Sequence, residues 1–73
     1  MDREREFEML RMVAIEDSRL FTTTIQQLTF NEMNNGQSND HLNELYNRMI
    51  KSNRVLLDFI NQSVYVQLVE EGT

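Results

Sequence analysis

The sequence predicts an all-α fold: an antiparallel two-helix hairpin, coiled-coil-like, packed on a partner chain. Three observations carry this. Between Asp2 and about Met33 no glycine or proline interrupts the chain. Apolar residues recur at three- and four-residue steps on both sides of a polar centre, the spacing of a helix face. The centre itself, Asn34-Asn35-Gly36-Gln37-Ser38-Asn39-Asp40-His41, is built from turn and cap residues.

The first helix is expected over about residues 2–33. Its apolar positions are Phe7, Leu10, Val13/Ala14, Leu20/Phe21, Ile25 and Leu28, which cover roughly 140° of a helical wheel. Arg3, Glu4, Glu6, Arg11, Glu16 and Arg19 lie mostly off that face. Asp2, Glu4, Glu6 and Glu8 suit the positive end of the helix dipole. Thr22-Thr23-Thr24 is β-branched and mildly helix-averse, so packing by Phe21, Ile25 and Leu28 is expected to hold it helical.

The turn is expected at about 34–39. Gly36 suits the left-handed conformation that ends a helix, and Ser38, Asn39 or Asp40 suits the cap of the next one. That second helix is expected over about 40–66, with a frayed tail at 67–73. The alternating segment Val64-Tyr65-Val66-Gln67-Leu68-Val69 would make a lone strand with nothing to pair with, so a helical continuation is expected. All 73 residues then form one domain.

Folding about Gly36 pairs position i with roughly 72 − i at a helical rise of 1.5 Å per residue. Asp17, in the middle of the first apolar face, then lies within about a turn of Ser52 to Arg54. A polar layer there is able to fix register, as a single buried Asn does in coiled coils. The plainer alternative is a wet carboxylate at the seam's edge.

The second helix carries more apolar surface than one seam uses. Its apolar set spans about 180°. Leu45, Met49, Leu56 and Phe59 are assigned to the seam. Tyr46, Ile50, Leu57, Ile60, Val64 and Leu68 are assigned to a second stripe for binding a partner. Bare, that stripe would exceed the apolar patch a soluble monomer normally carries.

Composition excludes other classes. There are no cysteines and one histidine, so no disulfide, no thiolate chemistry and no structural metal or cofactor is expected. A net charge of −5, from 12 acidic and 7 basic residues, opposes binding to nucleic acid or anionic membrane. Met12-Val13-Ala14-Ile15 is too short for a signal peptide or membrane span, so a cytoplasmic location is expected. Catalysis is not expected. His41 is the only strong base, its neighbour Asp40 cannot turn toward it along a helix, and a hairpin offers no walled pocket.

Within this pattern, "LTFNEMNNGQSNDHLNELYNRMIKSNRVLLDFINQSV", in the stretch from about Ile25 to Val64, resembles the small helical-hairpin co-chaperones of type III secretion needle subunits. The likeness lies in helix, glycine turn and helix, in length and apolar spacing, over roughly half the chain. Where that family carries a glutamine–tyrosine pair early in the second helix, this chain has His41-Leu42, with its tyrosine at Tyr46. The resemblance implies a cytoplasmic bacterial protein with a role in virulence. It implies a larger tetratricopeptide-like chaperone as direct partner and a needle subunit as indirect one. A regulatory antagonist of a signalling or transcription protein and a homo-oligomeric bundle are the alternatives. A sporulation-phosphatase reading fails on its Ser-x-x-Leu-Asp signature, because Arg54 stands where the serine before Leu57-Asp58 is required.

Overall fold

A computed structural model describes the backbone of residues 2–72 and the side chains of residues 2–64. Two helices run antiparallel, α1 over Asp2–Gln27 and α2 over Gly36–Gly72, with a 3₁₀ turn at Glu32–Asn34 between them. The hairpin is a rod with principal extents of 60 × 19 × 15 Å. It is the all-α two-helix fold that the periodicity predicts.

The inward positions follow an unbroken three-four repeat. On α1 they are Phe7, Leu10, Ala14, Asp17, Phe21 and Thr24, with Leu28 just beyond its end, all buried or half-buried. On α2 they are Ser38, Leu42, Leu45, Met49, Ser52, Leu56, Phe59 and Ser63. A repeat averaging 3.5 residues keeps one seam facing its partner along the whole length of a coiled helix pair. It also sorts the ambiguous pairs of the first helix. Ala14 and Phe21 turn inward, Val13 and Leu20 flank the seam, and Ile25 is exposed while Thr24 takes the inward place.

The seam is thin. Only Ala14 and Leu45 are buried among the described residues, each 3% exposed. Aromatic pairs brace it on either side of its middle. Phe7 stacks on Phe59 with centroids 6.4 Å apart, and Phe21 meets Tyr46 at 5.5 Å, tilted by 56°. Arg3 lies over the outer face of this end, its guanidinium 5.3 Å from the Phe59 centroid, and donates to Ser63 Oγ at 2.6 Å.

Three inward hydroxyls are satisfied within their own helices. Thr24 Oγ1 donates to the Leu20 carbonyl at 2.8 Å, Ser52 Oγ to Met49 at 3.2 Å and Ser63 Oγ to Phe59 at 2.9 Å. Such back-bonding lets Ser and Thr face a seam without a stranded polar atom.

The bend differs from the expectation in both place and mechanism. α1 stops at Gln27 rather than about residue 33, and α2 begins at Gly36 rather than about residue 40. The cause is a reciprocal capping box, Thr29-x-x-Glu32. The Glu32 backbone N–H donates to Thr29 Oγ1 at 3.2 Å. In return the Thr29 N–H and hydroxyl donate to Glu32 Oε1 at 3.1 and 2.8 Å. This box starts a new turn at Thr29 and thereby ends α1. The cap of α2 is Asn35, in extended conformation, whose Oδ1 accepts the Gln37 N–H at 2.9 Å while its carbonyl accepts the Asn39 N–H. Neither Ser38, Asn39 nor Asp40 is the cap. Gly36 is the first helical residue and has no positive φ, so it ends nothing. At its other end α2 continues to Gly72, through the tail expected to fray from 67.

Moving the bend moves the register. The pairs Arg3–Ser63, Phe7–Phe59 and Phe21–Tyr46 have position sums of 66 to 67, not the 72 that folding about Gly36 requires. The reversal is therefore centred nearly a turn earlier than Gly36.

Two outcomes test this bend. A Cβ on Gly36 would meet nothing within 4 Å, so Gly36→Ala should stabilise the hairpin by up to ~1 kcal/mol in thermal or urea unfolding; a left-handed Gly36 would give a loss instead. Hydrogen bonds from the Thr29 side chain first, then its backbone, hold the Glu32 carboxyl below its ordinary value. A depressed folded-state pKa stabilises above the unfolded value, and the contribution is lost as pH falls through the folded one. NMR titration of Thr29→Val should show Glu32 returning toward an ordinary glutamate, with a smaller loss of stability on acidification.

Candidate protein-binding face

The circumference of α2 divides into three sectors on an ideal wheel of about 100° per residue. One is the seam. The second holds Asp40, Glu44, Arg48, Lys51, Arg54 and Asp58, the charged residues of α2 as far as Val64. The third, beside the seam, holds Asn39, Asn43, Tyr46, Ile50, Asn53, Leu57, Ile60 and Val64 and carries no charge. Its members again follow steps of three and four. α2 thus bears two parallel repeats, one filled by α1 and one facing outward.

The side chains named from sequence for partner binding lie largely on this third sector. Ile50, Leu57, Ile60 and Val64 are exposed, Leu57 by 56% and Val64 by 52%. Tyr46 has a double role. Its ring packs on Phe21 across the seam, yet 46% of it remains exposed at the head of the stripe. Leu68 lies outside the described side chains. A cleft of ≈ 320 Å³ between Arg3, Glu4, Phe7, Phe59, Ile60, Ser63 and Val64 opens beside the stripe's far end. Exposed Ile15 and Ile25 of α1 border the stripe on the same side of the hairpin.

Asn53 is the polar member among the stripe's apolar residues, beyond Asn39 and Asn43 at its start, and its amide is held rather than free. Asn53 Nδ2 donates to Ser18 Oγ at 3.0 Å and to the Met49 carbonyl at 2.7 Å. The cross-helix polar tie near this level is therefore made by Ser18, the neighbour of Asp17. Asp17 is half-buried, in the wall of a cleft of ≈ 260 Å³ on the other side of the seam, which Arg48 and Lys51 also line. Two cations on that wall suit a partly sheltered carboxylate. Sequence reasoning missed Ser18 because a small polar residue beside a charged one gives no periodic signal of its own.

His41 is exposed near the bend. With Thr24, Gln27, Leu28, Glu32, Ser38 and Leu42 it lines a shallow space of ≈ 170 Å³. Among the described residues no His, Asp and Glu side chains group in threes to hold a metal ion, and no helix is long and apolar enough to cross a membrane.

No family model, no curated protein and no solved structure matches this chain. The face is accordingly read from its own chemistry: a flat, uncharged, mostly aliphatic strip with one fixed amide. Such a strip offers no reacting group. It offers apolar area and a heptad spacing that another helix can match.

A double-mutant cycle tests the amide. Because the Asn53–Ser18 bond is exposed, Asn53→Ala and Ser18→Ala should show a coupling below about 1 kcal/mol in urea unfolding. A larger coupling would make this layer a register lock instead of a minor tie.

Proposed function

We propose that this hairpin is a non-enzymatic protein-binding module that docks a helical partner along the outward stripe of α2. The observation that carries the reading is the absence of any charge on that stripe from Asn39 to Val64, while the charged residues of α2 over the described side chains gather in another sector. Chains with a net charge of −5 ordinarily spread charge over solvent-facing helix surface. A charge-free strip of exposed Ile, Leu and Val matches the charge-depleted core of an interface.

The resemblance to co-chaperones of type III secretion needle subunits makes the proposal more definite. The partner is then a larger tetratricopeptide-like chaperone, whose concave helical surface accepts an amphipathic helix. The hairpin stabilises that chaperone while it keeps a needle subunit from assembling early. The place of action is the cytoplasm. The acid-rich composition supports the absence of nucleic acid and anionic membrane from the partner set.

The test is co-expression with a tetratricopeptide-like chaperone, followed by co-purification of the wild-type chain and Leu57→Asp. Leu57 lies outside the seam, so the variant should keep its helical circular dichroism. It should bind at least about 100-fold more weakly, because an unpaired carboxylate is costly to bury. Undiminished binding by the variant sinks the assignment of the stripe. Collapse of helicity would place Leu57 in the seam.

A further inference from the structure

We infer that a second copy of this chain also fits the outward stripe of α2, pairing α2 with α2 in an antiparallel, two-fold symmetric contact that completes a four-helix bundle. The inference rests on the reading of the stripe as the interaction surface and adds an occupant that competes with the helical partner.

Three observations select this occupant. The first is self-complementarity in spacing. In antiparallel helices, positions whose numbers sum to a constant lie level. A sum of 110 sets Tyr46 opposite Val64, Ile50 opposite Ile60 and Asn53 opposite Leu57, each twice by symmetry. All six members are covered, and the largest ring meets the smallest aliphatic. The two-fold axis then passes at the level of Val55. One heptad lower, a sum of 103 sets Ile60 and Val64 against Asn43 and Asn39; one heptad higher, a sum of 117 sets Val64 against Asn53 and carries the partners of Tyr46 and Ile50 beyond the described side chains.

The second observation is electrostatic. Two copies of a chain with net charge −5 repel over most of their surfaces. Over the described side chains the stripe is the uncharged strip of α2, so placing it against itself apposes no charges within the strip. The antiparallel arrangement also sets opposite ends of the two helix dipoles together. Among the described residues, the like-charged pair it creates is Arg54 with its symmetry mate at the edge of the contact. That pair is exposed and screened by salt, so added salt tightens the dimer.

The third is area. The chain exposes 6264 Å², and one long face of a rod is roughly a quarter of that. Covering half of one face approaches the ~800 Å² per partner of a stable interface. With only Ala14 and Leu45 buried among the described residues, the single hairpin has the thin core typical of small chains that complete themselves by association. Isologous contacts are the commonest way to do so.

Analytical ultracentrifugation of the purified chain alone tests the inference independently of any partner. A monomer–dimer equilibrium is expected, tightened by salt. Leu57→Asp should weaken it at least about 100-fold, and Met12→Asp, on the far side of α1, should leave it unchanged. Should Leu57→Asp lose helicity, the double variant Ile50→Cys/Ile60→Cys decides on its own. Oxidised, it should give a covalent dimer, since the two positions are ~15 Å apart within one helix and cannot bridge there. A chain that stays monomeric at millimolar concentration overturns the inference and leaves the partner-binding proposal standing. So does a dimer insensitive to Leu57→Asp. A covalent dimer from Ile60→Cys alone overturns the antiparallel register.

Discussion

One seam cannot bury two helices. A helix pair touches along a single strip of each member, and here that strip is a three-four repeat running from Phe7 to Leu28 and from Ser38 to Ser63. Everything else in the molecule adjusts to it. Ala14 and Ser52 lie near its mid-length with the Ser18–Asn53 pair beside them, Thr24, Ser38 and Ser63 lie toward its ends, and the ring pairs Phe7–Phe59 and Phe21–Tyr46 stand to either side of the middle. The rings pack across the seam, and Leu45 is, with Ala14, one of the two buried residues among those described. The arrangement spends hydrophobic surface economically, and it leaves a good part of what the chain carries outside.

The polar atoms in the seam tell how the hairpin tolerates them. Thr24, Ser52 and Ser63 each return a hydrogen bond to a carbonyl three or four residues back. None depends on the opposite helix for satisfaction. Cross-helix polar ties are few and lie at the surface: Arg3 to Ser63 and Asn53 to Ser18. Exposed ties contribute little each. Specificity of register therefore rests on shape, on which side chains interlock, more than on charge. This fits a small chain that a second helical surface, whether another protein or another copy, would brace.

The bend shows how local chemistry overrides a hydrophobic pattern. Periodicity continues through Leu28, and nothing in it marks a stop before Gly36. The stop is made by Thr29 and Glu32, which exchange hydrogen bonds with each other's backbone and take the chain out of α1. The signature Thr-x-x-Glu was legible in the sequence, but its neighbours Phe30 and Met33 look like helix continuation. Both are exposed, Phe30 by 77%. Gly36 was the more conspicuous residue and took the blame for a turn that begins seven residues earlier. Asn35, next to it, is the residue that caps α2.

The sequence by itself determined that the chain is helical, that it reverses once, and that α2 carries more apolar surface than one partner helix covers. These follow from the three-four spacing, because a side chain's angle around a helix depends only on its number. Only the tertiary structure decided the register, since this depends on where the bend begins, and a shift of a few residues moves every cross-helix pair. It decided that Ser18 rather than Asp17 reaches Asn53, and that Ala14 and Phe21 turn inward while Val13 and Leu20 do not. It decided too that Tyr46 serves both seam and stripe, because a ring at the boundary of two sectors goes to whichever neighbour is near, and here that neighbour is Phe21.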